Sequence, residues 1–279
     1  MAFWQGMNEA GFAEHRNVTC EYLWTGSAEQ LTGRVANLIK QGLAVVLAGG
    51  TANAMAAKRA TESIPVVFVV TSDPIRSRFV QSLAQPGGNM TGISLASPEL
   101  LAARLSVFHA LAPNLGAVVA LLNPEAPNVE VQVQYLADES KRTGVHVSVL
   151  NATVESDFER ALEAIAQMSE VGLVVANDGF LNSQRVRLVE FTKRHGIPAA
   201  FANREFVEAG GLMSYGPSLI EAYRQAGGYV GRILAGARPA DLAVENPTEI
   251  ELTINSRTAK SLGFEIPSQL LGTATTVVN

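Results

Sequence analysis

Along this chain the spacing of apolar residues switches repeatedly between two periods, and that alternation limits the fold more than any single motif does. Short apolar runs occur at VTCEYLW (18–24), LAVVLA (43–48), VVFVV (66–70), GAVVALL (116–122), VHVSVL (145–150), VGLVVA (171–176), PAAFA (198–202) and LMSYG (212–216). Between most of them lie stretches with apolar residues at helical spacing: SAEQLTGRVANLIKQ (27–41), LAARLSVFHALA (101–112), EVQVQYLADESKRTG (130–144), SDFERALEAIAQM (156–168) and SQRVRLVEFTKRHG (183–196). Strands that alternate with helices predict parallel sheets built from right-handed crossovers. Runs apolar on both faces agree, because helices cover both sides of such a sheet.

The pattern is interrupted in the middle. QPGGNMTGISLASPE (85–99) is rich in Gly, Pro, Ser and Asn, and a new series of strands and helices starts beyond it. This predicts a hinge between two doubly wound α/β lobes. A second break, SYGPS (214–218), precedes a long helical pattern, LIEAYRQAGGYVGRILAG (219–236), expected to pack back on the first lobe. The expected division is 1–94 with about 217–254 in lobe 1 and 95–216 with about 255–279 in lobe 2, with a ligand cleft between them that closes by hinge motion.

Composition removes several function classes. At 279 residues, 47% hydrophobic and 17% charged, the chain can bury a large core. A formal net charge of −5 without a Lys/Arg cluster speaks against a nucleic-acid partner. The single cysteine, Cys20, excludes an internal disulfide and any four-cysteine metal site, and reads as a small buried strand residue. No run approaches the roughly 18 apolar residues of a membrane span. The start, MAFWQGMNEAGF, has neither the basic nor the apolar region of a signal peptide. Enzyme motifs are lacking: AGGTANA misses the third glycine of G-x-G-x-x-G, and neither G-x-x-x-x-G-K-S/T nor G-x-S-x-G occurs. His15, His109, His146 and His195 are scattered, so no metal site and no cofactor are expected.

In open parallel sheets ligands bind beyond the carboxyl ends of the strands. Those ends here are Gly49-Gly50-Thr51, Thr71-Ser72-Asp73-Pro74, Asn123, Asn177-Asp178 and Asn203-Arg204-Glu205, each read as leading into a helix. Any one of them is equally well explained as a helix cap, with Pro74 at a first helical position. Together, hydroxyls, amides and carboxylates at so many ends suit a small polar or zwitterionic ligand. Thr51 and the helix start behind it can take a carboxylate, and Asp178 or Glu205 an ammonium group.

Three stretches carry a family resemblance: GGTANAMAAKRATESIPVVFVVTSDPIRSRFVQSLAQPGGNMTGIS, NDGFLNSQRVRLVEFTKRHGIPAAFANREFVEAGGLMSYGPS and LTINSRTAKSLGFEIP. They resemble the ABC-transporter substrate-binding proteins of the TrpX-like group. The resemblance implies a type I periplasmic binding protein fold, two doubly wound parallel-sheet lobes that close on a small-molecule solute, often an amino acid and often an aromatic one. It implies delivery to an ABC permease, a periplasmic location, a monomer and no enzymatic activity. It places Thr51, Thr71, Ser72 and Asp73 on the first lobe's side of the site, and Asn123, Asn177, Asp178, Glu205 and Tyr215 on the second's. Where amino-acid-binding relatives carry a Thr-Asp-Asn turn, this chain reads Asn177-Asp178-Gly179. Family members begin with a signal peptide and a first strand, whereas this chain starts in the helix expected to follow that strand, so both are expected to be encoded upstream of Met1. A ligand-sensing regulator on the same lobes, or a small-molecule hydrolase, are the alternative functions; the regulator would need a DNA-binding helix pair ahead of the first lobe.

Overall fold

The two apolar periods become strands and helices in a computed structural model that describes residues 2–23, 28–126 and 128–279. The first elements are α1 (Ala2–Glu9), α2 (Ala28–Lys40), β1 (Val46–Gly49), α3 (Thr51–Ala60), β2 (Val66–Val70) and β3 (Met90–Ser94). There follow α4 (Glu99–Leu111), β4 (Ala117–Leu122), α5 (Val129–Thr143), β5 (His146–Asn151), α6 (Glu155–Ala166), β6 (Val171–Val175), α7 (Gly179–Ser183), α8 (Arg185–His195), β7 (Ala199–Phe201), α9 (Arg204–Glu208) and β8 (Met213–Pro217). The chain ends with α10 (Leu219–Leu234), β9 (Ile250–Asn255), α11 (Ser256–Ser261), α12 (Ser268–Thr273) and β10 (Thr276–Val278). Two compact units result, Met1–Ala96 with Leu219–Thr248, and Ser97–Ser218 with Glu249–Asn279.

In unit 1 the strands run parallel in the order β1-β2-β3. All five residues of β2 are buried, and their alternation serves two cores. Val67 and Val69 pack with Met7 of α1 and Ala222, Ala226, Tyr229 and Val230 of α10. Val66, Phe68 and Val70 pack with Ala54 and Ala57 of α3 and with Phe79 and Val80. Helix α10 seats against α1 through small residues: a Cβ on Gly6 would stand 1.8 Å from the Arg224 carbonyl oxygen, and one on Gly227 2.1 Å from that of Phe3. Only glycine permits so close a crossing.

Unit 2 holds a seven-stranded sheet in the order β10-β9-β8-β7-β6-β4-β5, parallel except where β9 meets β8. Helix α4 lies against it: Leu101, Leu105 and Phe108 are buried, and a Cβ on Gly172 of β6 would come 2.7 Å from the Phe108 ring.

Three sequence expectations need correction. The stretch read as a hinge contains a strand: β3 is wholly buried and pairs with β2 from Val66↔Met90 to Val70↔Ser94, so its glycine-rich look reflects close packing, Gly92 standing against the Phe68 backbone. The run 18–24 forms no strand in its described part; Val18 makes an isolated bridge to Glu14, and no ladder partner accompanies Thr19–Leu23 among the described residues. Trp24 and Ser27, the ends of two expected segments, lie outside the described residues. Residues 250–254, expected in lobe 1, belong to unit 2, because they pair with β8 from Pro217↔Ile250 to Met213↔Ile254.

Candidate functional site

In unit 1 the ends of β1 and β2 bring hydroxyls together. Gly50 precedes α3 at φ 95, a conformation suited to glycine, and donates its N–H to the Val69 carbonyl at 2.8 Å. The residue that precedes α3 is this glycine, so the N-cap offers no side chain to the helix's first N–H groups. Thr51 Oγ1 and Ser77 Oγ each donate to Ser72 Oγ at 3.1 Å, and Ser72 is buried. Tyr223 of α10 reaches the same strand end: a Cβ on Gly49 would stand 2.5 Å from its hydroxyl. Thr71 is half-buried beside Ser72.

Asp73 is occupied by a turn rather than a helix. Its Oδ1 accepts from the N–H groups of Ile75 at 2.8 Å and Arg76 at 3.2 Å, and Ser77 N–H returns to the Asp73 carbonyl. Asp73→Ala is expected to lower stability by about 1 kcal/mol, the usual worth of such a capping carboxylate, and to change solute affinity less than about twofold. Paired denaturant unfolding and calorimetric titration would check both; an affinity loss without a stability loss would return Asp73 to the solute.

In unit 2 the ends of β4, β6 and β7 form one polar network. Asn123 Oδ1 accepts from Glu125 N–H at 2.9 Å, while its Nδ2 donates to Asp178 Oδ2 at 3.0 Å. Asp178 caps α7, its Oδ1 accepting from Phe180 N–H at 2.8 Å and Leu181 N–H at 3.1 Å. Asn177 Oδ1 accepts from Asn182 Nδ2 at 3.0 Å and from Asn203 Nδ2 at 3.5 Å. Four further polar atoms at these strand ends are buried without partners among the described residues: Asn177 Nδ2, Asn182 Oδ1, Asn203 Oδ1 and Glu205 Oε2. A native fold seldom tolerates such atoms, at about 1–3 kcal/mol each, unless something else satisfies them. One donor and three acceptors, one a carboxylate oxygen, complement a small zwitterion.

The structure thus joins Asn123 to Asp178, and Asn177 to Asn182 and Asn203, in unit 2, and Thr51 to Ser72 in unit 1; Glu205 follows two residues after Asn203 in α9. Tyr215 differs: it lies within β8 opposite Leu252, and its half-buried ring packs on the unit 2 core. Asn182 and Arg104 were missed by the sequence reading. Asn182 follows Asn177 by five residues and folds back on it from α7. Arg104 falls in the apolar stripe of α4, three residues after Leu101 and four before Phe108, and that spacing was the available signal. Among the described residues no cluster of His, Cys, Asp or Glu suits a metal ion, and no helix is long and apolar enough to cross a membrane.

Comparison with known proteins gives this geometry a context. The tyrosine-binding protein of Clostridioides difficile (strain R20291) is 24% identical over 264 residues, which cover 94% of this chain and 76% of that protein. A conserved domain protein from Vibrio cholerae O1 biovar El Tor is 27% identical with a TM-score of 0.87, over 99% of this chain and 93% of that one. The ABC domain from Streptococcus pneumonia, solved in complex with L-Trp, is 24% identical with a TM-score of 0.82, over 99% and 95% of the two chains. Residues 2–278 match the model of ABC transporter substrate-binding proteins. Since that match spans nearly the whole chain, the protein belongs to the ABC transporter substrate-binding protein family.

Proposed function

We propose that this protein is the periplasmic solute-binding component of an ABC importer, takes an α-amino acid, with aromatic ones foremost, and passes it to a membrane permease without chemical change. The observation that carries this reading is the set of buried, unpartnered atoms at the ends of β6 and β7. Glu205 Oε2, Asn203 Oδ1 and Asn182 Oδ1 are the acceptors that an ammonium group with three N–H donors requires, and Asp178 adds negative charge beside them. Asn177 Nδ2 supplies a donor for the carboxylate, and Thr51 of unit 1 is proposed as a separate contact. Thr71 and Ser72 are proposed as further contacts. The tyrosine-binding relative and the L-Trp complex support the aromatic class.

Isothermal titration against L-tyrosine, L-tryptophan and the other amino acids, with small sugars as controls, tests the reading. Binding of an amino acid with the solute recovered unaltered is the expected result; binding of sugars alone would overturn it. Glu205→Gln is expected to weaken binding about 10- to 100-fold, the loss of one charge-assisted hydrogen bond of about 1.5–3 kcal/mol. Stability should hold or rise, since the variant removes a buried charge. Deaminated analogues of the same solute should bind both proteins alike.

A further inference from the structure

Helix α4 carries a buried cation with no carboxylate partner among the described residues. Arg104 is 1% exposed, and its two hydrogen bonds go to backbone: Nε donates to the Tyr215 carbonyl at 2.8 Å and Nη1 to the Val175 carbonyl at 2.7 Å. Burial alone pulls its guanidinium down to about 9. Val175 ends β6 and Tyr215 lies in β8, the two strands that flank β7.

The register explains why a donor is needed there. β7 is three residues long and pairs with β6 through Leu173↔Ala199 and Val174↔Ala200, and with β8 through Ala200↔Met213 and Phe201↔Ser214. Val175 and Tyr215 therefore each stand one residue beyond their last pair with β7. The ladder has ended, and their carbonyls would be buried without donors. The planar guanidinium, with donors fixed in a fork, meets both at once. Two residues past Val175 begins Asn177-Asp178, and two residues past the end of β7 lies Asn203.

We propose that Arg104 is a positioning residue for the solute site. It staples the carboxyl ends of β6 and β8 across the end of β7, and so fixes the spacing of Asn177, Asp178, Asn203 and Glu205. A neutral amide could serve as donor without the cost of a buried charge; the arginine is the side chain whose fork spans both strands while its charge, rigidly held by the two carbonyls, resists their separation. The solute-affinity part of this proposal rests on reading the strand ends as the solute site; the ordering of those ends does not.

The test compares wild type, Arg104→Lys and Arg104→Met in the full chain. Backbone hydrogen exchange of the ligand-free proteins is measured first. In Arg104→Met, exchange should quicken at least tenfold in 176–182, 202–206 and 214–218 and stay unchanged in α5 and α6, and Arg104→Lys should restore part of the protection. Titration with L-tyrosine and L-tryptophan, well below each variant's unfolding temperature, should then show affinity falling at least tenfold for Arg104→Met and less for Arg104→Lys. Uniformly faster exchange across unit 2 would mean a general stabilising role and overturn the proposal, as would unchanged exchange at the three segments. Wild-type binding with Arg104→Met affinity within twofold would also overturn it. If wild type binds neither probe, the aromatic amino-acid reading fails, and the exchange pattern still decides the positioning role.

Discussion

Asp178→Asn is expected to keep the fold and lose solute affinity by about 10- to 100-fold, and Asp178→Ala to lose both. The difference follows from how the carboxylate is used. An ionised carboxylate has about four acceptor positions. Two N–H groups at the start of α7 and the Asn123 amide take three of them. The fourth, with the charge, is left for an ammonium. Asparagine keeps an oxygen for the cap, so stability should change by less than about 1 kcal/mol. It removes the charge and turns an N–H2 toward the Asn123 N–H2, so the charge-assisted bond of about 1.5–3 kcal/mol is lost. Alanine removes the cap as well and should lower stability by about 1–2 kcal/mol. Calorimetric titration with the best-binding amino acid and urea unfolding of both variants separate the two roles. Unchanged affinity in Asp178→Asn would reduce Asp178 to a cap.

The strand ends were legible because a buried parallel strand has to stop somewhere, and Asn123, Asn177-Asp178 and Asn203 mark where apolar sequence gives way to polar sequence. Which polar atoms stay unpaired was not legible, since that depends on angles between side chains far apart in sequence: Asn177 and Asn203 meet across 26 positions and Asn123 and Asp178 across 55. Cap or ligand contact is a three-dimensional question too. Asp73 and Asp178 look alike in sequence, yet Asp73 serves a turn and Asp178 both a cap and the polar network. β3 was hidden because its Gly92 and the glycines before it resemble linker, whereas Gly92 is required by the Phe68 backbone. Arg104 was hidden by the habit of assigning charge to the solvent face of a helix; α4 is buried on the side that carries it.

The stability counterpart lies directly under the same network. Phe201 ends β7, is fully buried, and stacks on Phe206 of α9 with ring centroids 4.5 Å apart and planes 11° from parallel. A Cβ on Gly211 would come 2.8 Å from the Phe201 ring, so the backbone there also lies close to it. Phe201→Ala leaves a cavity that neither neighbour can close, because α9 is fixed where it lies by the Asn255 Nδ2 and Gly211 N–H bonds to its Val207 and Phe206 carbonyls, and Gly211 has no side chain to lend. The expected loss is about 3–5 kcal/mol. Phe201→Leu keeps most of the volume but not the stack and should lose less than half as much. In urea unfolding followed by circular dichroism the midpoint should fall for both with little change in slope, since the surface exposed on unfolding is nearly the same. Below the transition, Phe201→Leu should also weaken solute binding, because Asn203 and Glu205 leave the same strand end and start the same helix. A Phe201→Ala protein within about 1 kcal/mol of wild type would mean that the end of β7 repacks freely, and the fixed spacing on which the polar network depends would then have to come from Arg104 alone.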